Sequence, residues 1–198
     1  MTWLKLSKRH LKAAKKNERF ILTKERETVS NHSAETLLEK VVQQEKELIF
    51  HQFTNDQALQ IGTAIINEAK SKGKAVTVSI KRNGQTLFQH AMEGAIPDHE
   101  EWIKRKSNTV FRHHHSSYYM KLYCELKDRS YAQFYAANPQ EFEAVGGSFP
   151  ISVKNVGVIG SITVSGMSQE EDHALVTDTI RSFCNKNKQT SLEVRLFN

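Results

Sequence analysis

Cysteine is almost absent from this chain: Cys124 and Cys184 are the only two among 198 residues. Two thiols cannot build the disulfide framework of a small secreted scaffold. Both fall in apolar helical patterns, which suits buried thiols in a reducing cytosol. Long apolar runs are missing too. No segment reaches the roughly twenty consecutive apolar residues of a membrane-spanning helix, so membrane insertion is not expected, and residues 1–33 hold no apolar stretch of the kind a secretory signal needs. With three prolines and nine glycines, collagen-like and low-complexity architectures are excluded. Gly157-Val158-Ile159-Gly160 matches no phosphate-loop pattern, and close backbone packing is expected there instead. What remains is 38% apolar and 25% charged residues, an ordinary balance for one soluble domain with a real core.

The positive charge resembles a nucleic-acid signal until it is located. Of 28 Lys/Arg and 22 Asp/Glu, nine and three fall in residues 1–33, leaving nineteen of each sign in residues 34–198. The formal net charge of +6 therefore belongs to an N-terminal extension, and the globular part is neutral. A neutral domain without a Lys/Arg stripe offers no footing for phosphate-backbone binding, so no nucleic-acid partner is expected.

Local signals give the order of elements. Ser33 can cap a first helix through about Glu47, with Leu37, Leu38, Val41 and Val42 on its apolar side. Leu48–Phe53 reads as a short strand. Thr54-Asn55-Asp56-Gln57 is a capping box before an apolar series through Ile61, Ile65 and Ala69, ended by Gly73. Val76, Val78 and Ile80 alternate, and Asn83-Gly84 supplies a type I′ turn into Thr86–Met92. Asp98 is expected to cap the next helix, with further helix after Ser116-Ser117 and a short helical turn at Asn138-Pro139. After Gly146-Gly147, Phe149–Val153 and Val156–Ser165 form a second hairpin, and Ser168 caps a last helix through Glu171. Two hairpins and a single strand imply an α+β domain around a five-stranded antiparallel sheet. The expected core includes Ile103, Phe111, Ile162, Val164 and Ile180.

Residues 98–119 concentrate most of the groups that can bind or react. On an ideal helix Ile103, Ser107, Val110, Phe111 and His114 share an apolar stripe, which makes His114 a buried core histidine. Arg105, Thr109 and Arg112 lie on another stripe, with Ser116 if the helix continues. Guanidinium forks match carboxylate geometry, so this face could receive a carboxylate or propionate; a solvated basic face or an ion pair across a subunit contact is the more ordinary account of a charged helix face. Helical neighbours point about 100° apart, so three adjacent histidines cannot converge on one ion, and no metal site is expected. His115 is the candidate for an iron ligand or proton carrier, its tautomer set by a neighbour. Ser116 and Ser117 lack a nucleophile elbow and read as caps of the following helix.

Three groups of residues carry a family resemblance: Trp102-Ile103-x-Arg105-Lys106 with Arg112-x-x-His115-Ser116-Ser117-Tyr118; Gly146-Gly147-x-Phe149-Pro150-Ile151; and Val164-Ser165-Gly166 followed by Gln169-Glu170-Glu171-Asp172-His173. As a set, spanning about residues 37–185, they resemble an uncharacterised branch of the haem-degrading-domain family, the GlcG/HbpS-like proteins. The resemblance implies a profilin-like fold of α/β/α layers and ring-like or paired-ring homo-oligomers. It implies haem as a cofactor or ligand, with oxidative haem breakdown credited to a few members. His113-His114 departs from the family's frequent Phe-Gly-like pair.

The expected function is therefore an oligomeric, cytoplasmic binder of haem or a small carboxylate ligand. Arg105 and Arg112 would take carboxylates, His115 would serve as axial ligand or proton carrier, and Ser116 and Ser117 would donate hydrogen bonds. Asp172 and His173 join as a neighbouring pair on the strength of the resemblance. With no C-x-x-C-H attachment motif, binding should be reversible. The second reading is a non-enzymatic oligomeric scaffold for protein partners, since a fungal relative is linked to tail-anchored-protein delivery. The domain is expected over residues 34–187, followed by a tail at 188–198. The basic residues 1–33 read as a transit peptide, as a short surface or anion-binding helix, or, the favoured reading, as a disordered leader or an upstream-extended gene start; Glu18, Glu25 and Glu27 weaken the first. Under the last reading the native chain begins near Val29. The intact mass of the protein from its own host tests this, and a mass that includes Met1 overturns it.

Overall fold

Among the described residues, three reciprocal caps and the Asn83-Gly84 turn carry much of the local instruction. A computed structural model describes the backbone of residues 33–196 and the side chains through residue 186; the basic extension, apart from Ser33, lies outside the described residues. Helix α1 occupies residues 33–47, followed by β1 (Ile49–Phe50), α2 (Asn55–Ser71), β2 (Thr77–Arg82) and β3 (Gln85–Ala91). Next come α3 (Asp98–His113), α4 (Ser117–Leu126), α5 (Tyr131–Tyr135), β4 (Ser148–Val153), β5 (Gly157–Ser165) and α6 (Gln169–Leu196). The backbone of α6 thus carries helix into the segment read as a tail. Thr54 caps α2 in the expected box with Gln57, Ser168 and Glu171 do the same before α6, and Ser130 with Gln133 starts α5. Asn83 and Gly84 both take positive φ, 49° and 81°, as the type I′ turn between β2 and β3 requires.

The five strands run in the order β1-β4-β5-β2-β3. The expected hairpins are present, and β2 also pairs antiparallel with β5. The sheet is not wholly antiparallel, however, because β1 runs parallel to β4 through Ile49↔Ser152 and Phe50↔Val153. A hairpin fixes relative direction through its turn; an isolated strand joining an edge has no such constraint. β1 is also shorter than the expected Leu48–Phe53.

Alternation along the central strands sorts the two sheet faces. Val78 lies opposite Val164, and Ile80 opposite Ile162. With Phe149 and Ile151 these residues pack against Ile61 and Ile65 of α2 and Val176 and Ile180 of α6. Thr77, Ser79, Ser161, Thr163 and Ser165 occupy the alternate positions and are buried as well; α3 packs over β2, β4 and β5. The result is an α/β/α arrangement with one apolar and one hydroxyl-rich interlayer. A smaller cluster joins Val41 of α1 to Tyr118 and Leu122 of α4. Tyr119, Tyr123, Phe134 and Tyr135 pack around Met120, Cys124 and Tyr131. The aromatic segment after α3 is therefore largely spent on packing within the chain.

Three local expectations are corrected. Asp98 does not cap α3: Pro97 precedes the helix without a side-chain cap, and the Asp98 carboxylate instead accepts from Trp102 Nε1 at 2.8 Å. His114 is not a core residue. The helix stops at His113, and His114 turns left-handed with φ 59°, which carries its side chain out to solvent and leaves Phe111 half-buried. Asn138-Pro139 makes a turn rather than a helix, because Asn138 Oδ1 accepts from Gln140 N at 3.0 Å. The glycines at 157 and 160 divide in role. A Cβ on Gly160 would collide with the Lys81 carbonyl oxygen, whereas Gly157 serves the turn with φ 100°.

Val164 is fully buried opposite Val78. Val164→Asp places a carboxylate in this apolar interlayer without a partner, a loss of more than about 4 kcal/mol and enough to abolish soluble expression. Wild-type thermal stability in that variant would show that this facing of the sheet is wrong.

Candidate functional site

Helix α3 buries one charged side chain. Ile103, Lys106, Ser107 and Val110 follow i, i+3, i+4, i+7 spacing, and all four are buried. Lys106 thus occupies a core position on a helix whose one other lysine, Lys104, is exposed. Its Nζ donates to the Val164 carbonyl at 3.1 Å and to Asp172 Oδ2 at 2.8 Å. The two side chains are 4% and 2% exposed, so the ion pair is dry. Asp172 Oδ1 also accepts from Met167 N at 3.2 Å. Burial pushes the Lys106 ammonium below its ordinary range, against the opposing pull of Asp172. Burial likewise raises the Asp172 carboxyl, against Lys106. Both shifts favour the neutral forms.

The pair lines a cleft of about 430 Å³. Ile96, Trp102, Val145 and Met167 supply apolar wall, while Asp98, His99, Gln169 and Ser165 add polar groups. Two of these are unmatched: His99 Nδ1 and Gln169 Oε1 are buried without a hydrogen-bond partner. The chain crowds close around the ion pair. Gly147 adopts φ 121°, and a Cβ there would lie 2.5 Å from the Val164 carbonyl oxygen and 2.8 Å from Lys106 Nζ. A Cβ on neighbouring Gly146 would collide with the Gln169 carbonyl. Parts of all three segments that carry the sequence resemblance therefore meet here: Trp102 and Lys106, Gly146-Gly147, and Ser165-Gly166 with Gln169 and Asp172.

The residues singled out from sequence divide between this cleft and the far end of α3. Asp172 belongs to the cleft. Arg105 lies over the Trp102 ring at 3.9 Å, and its Nε donates to the Glu101 carbonyl at 3.2 Å. Arg112 is exposed, donates to the Tyr135 carbonyl at 3.2 Å and covers the Phe142 ring. The two guanidiniums do not converge. Ser116 caps α4 by accepting from Tyr119 N at 3.1 Å, as its position predicts. The Ser117 hydroxyl accepts from Ser148 N at 3.0 Å and donates to the Ser148 carbonyl at 3.3 Å. His173 turns away from Asp172. Its Nε2 meets Gln44 Oε1 at 2.8 Å, and its ring packs near Tyr118 and Phe149.

His115 finds an acid that sequence reasoning missed. Glu45 Oε2 lies 2.6 Å from His115 Nδ1, and Glu45 Oε1 accepts from Ser116 N at 2.7 Å. The ring stacks on Tyr119 at 4.1 Å. No local pattern links position 45 to position 115. Lys106, by contrast, had a readable signal in its place on the apolar stripe of α3. Among the described residues no cluster of three or more His, Cys, Asp or Glu side chains could hold a metal ion, and no helix is long and apolar enough to cross a membrane.

Titration of the histidines sets the stability profile. Burial pushes His173 down to about 4, so it stays neutral in the fold. Between pH 6.5 and about 4 the unfolded chain binds more protons at this position, and stability falls by roughly 3 kcal/mol as pH drops through that window. His115 acts oppositely. Its hydrogen bond to Glu45 raises it, so its contribution is full below pH 6.5 and is lost as pH rises through the raised folded value. Urea unfolding from pH 4 to 7 should show the decline toward acid. Burial and the neighbouring Arg112 charge push His113 down to about 4 as well, so His173→Gln should lessen the decline, and an unchanged slope in that variant would remove His173 as a cause.

Comparison with known proteins matches residues 53–181 to the model of the family described as haem degrading protein HbpS-like. A UPF0303 protein of Edwardsiella ictaluri is 41% identical over 156 residues, covering 79% of this chain and 99% of that protein. Among solved structures, the Ybr137w protein aligns with TM-score 0.70 and 31% identity over 76% of this chain and 88% of its own. A PduOC:heme complex aligns with TM-score 0.56 and 18% identity over 67% and 94%, a likeness of fold alone. Sequence match, fold and the meeting of the three segments around Lys106 agree: the chain belongs to the HbpS-like family of haem-degrading proteins.

Proposed function

We propose that this protein binds a small organic ligand in the cleft beneath α3. The observation that carries the reading is the pair of buried, unmatched atoms, His99 Nδ1 and Gln169 Oε1, beside the Lys106–Asp172 ion pair. Unmatched buried polar atoms cost about 1–3 kcal/mol each, and a ligand that pairs with them recovers that cost. The volume falls within the usual range for a small-molecule site. Asp98 and Asp172 outnumber Lys106 among the charged side chains lining the cleft, so an uncharged head that both donates and accepts suits it better than a carboxylate. Ile96, Trp102, Val145 and Met167 suit a short apolar body.

Haem is the second reading, favoured by the Glu45–His115 contact. A carboxylate on Nδ1 is the arrangement that orients a metal-binding imidazole, and it leaves Nε2 open on a side chain 45% exposed. Arg112, on the last turn of α3, supplies a cation for a propionate. These residues fit the group at a surface, where a second copy of the chain would cover it; His173, with Nε2 held by Gln44, does not. Haem bound there would supply iron redox chemistry. Glu45 would hold the imidazole orientation and its Nδ1 proton.

One set of titrations separates the readings. In a Trp3→Phe background, which leaves Trp102 as the one tryptophan of the chain, small alcohols, amides and carbonyl compounds should perturb Trp102 fluorescence, and Gln169→Ala with His99→Ala should weaken that response about tenfold. Haemin should give a saturable Soret band lost in His115→Ala if the second reading holds. Silence of Trp102 towards every compound overturns the cleft, and absence of a Soret change overturns haem. Light scattering on the same samples tests the homo-oligomer, which a monomer at micromolar concentration refutes.

A further inference from the structure

Resting on the cleft as a binding site, we propose that Lys106 is a nucleophile that condenses reversibly with a small uncharged aldehyde or ketone to form an imine. The geometry places the parts of that reaction together. Lys106 lines the cleft, and its Nζ donates to two acceptors, Val164 O and Asp172 Oδ2, against three N–H bonds on an ammonium. Asp172, at 2.8 Å, is the partner for proton exchange. His99 and Gln169 line the same cleft, and their Nδ1 and Oε1 are buried without a hydrogen-bond partner. The apolar walls fit a short carbon chain and limit water.

The step balances without a further reagent. The ammonium passes a proton to Asp172, and the freed lone pair on Nζ bonds to the carbonyl carbon while the carbonyl π electrons move to oxygen. A proton moves from nitrogen to that oxygen and gives a carbinolamine. Asp172 then returns its proton to the hydroxyl, the C–O bond breaks, water leaves, and C=N forms. One carbonyl is consumed and one water released; nothing is oxidised or reduced. Burial has already pushed Lys106 down and Asp172 up, in the directions the first transfer needs.

The pair is otherwise hard to explain by stability. Burying two charges costs several kcal/mol, and an apolar pair of similar volume often serves a fold as well or better. A lysine sited at a core position, reaching a cleft and facing a carboxylate, suits chemistry in which the amine must be neutral part of the time.

The experiment uses the full chain at neutral pH with propanal as probe, followed by sodium borohydride, which reduces an imine to a stable propyl-amine. Peptide mass mapping should find the propyl group on Lys106 at about tenfold or more the level on exposed Lys72. Lys106→Arg keeps the cation and should remove that label while leaving surface labelling unchanged. Asp172→Asn should slow labelling of Lys106 itself, at a propanal concentration that saturates the Trp102 signal. Should either variant fail to fold, the wild-type map decides alone. Labelling of surface lysines with Lys106 unmodified overturns the imine. If propanal still perturbs Trp102 in that case, the cleft survives as a binding site and only the nucleophile is lost. If Trp102 is also silent toward propanal and the other small compounds, both ideas fall.

Discussion

The Lys106–Asp172 ion pair is the constraint on which the rest of this structure is arranged. It joins α3, on one face of the sheet, to the first turn of α6, and it takes its second acceptor from the backbone of β5. Such a pair tolerates little slack, because an unshielded charge in a dry interior costs far more than the pair returns. The surrounding chain meets that demand by close approach. Gly147 accepts a φ of 121° and leaves no room for a Cβ between the Val164 carbonyl and Lys106 Nζ. Met167 N steadies the other oxygen of Asp172. Gly147, the end of β5, the middle of α3 and the first turn of α6 thus converge on one contact of 2.8 Å.

The same contact explains why the two sides of the sheet differ. Facing α2 and α6, the sheet presents branched apolar side chains that interlock. Under α3 it presents Thr77, Ser79, Ser161, Thr163 and Ser165, all buried. Ser148 Oγ and Thr163 Oγ1 satisfy one another at 2.7 Å, whereas the hydroxyls of Thr77, Ser79 and Ser161 have no partner. An interlayer of small hydroxyls lets α3 approach closely enough for Lys106 to reach the β5 backbone, and it leaves a polar seam that leads from Ser165 at the cleft toward the middle of the sheet. Apolar packing on one side supplies the adhesion; the other side carries the cleft.

How much of this could be read from the sequence follows the range of the interactions. The caps at Thr54 and Ser168, the Asn83-Gly84 turn and the helical stripe of α2 depend on residues a few positions apart, and each was legible. Helix ends were less so. α3 gave no warning that His114 would leave the helix, since the apolar spacing continues past the point where the chain turns. The direction of β1 was hidden because its partner, β4, lies about a hundred residues later and no turn connects them. The site was hidden for the same reason. Lys106 meets Asp172 across 66 positions, and His115 meets Glu45 across 70. Asp172 was reached only through the family resemblance, and Lys106 was quoted within that motif without being given a role.

Helix α3 also separates what the sequence had grouped. Lys106 and His115 are nine positions apart, with the end of α3 at His113 between them, and the two carry different chemistry. At the first end a dry amine faces a small, partly apolar cleft. At the other a half-exposed imidazole is held by Glu45 of α1 and backed by Tyr119. A large flat ligand suits the second environment and a short one suits the first. A family whose description names haem can therefore include a chain in which the surface imidazole and the buried amine answer to different molecules. Because His115 draws its acid from α1, which precedes the matched residues 53–181, that environment depends on a helix outside the matched region. The cleft draws every residue of its lining from within it.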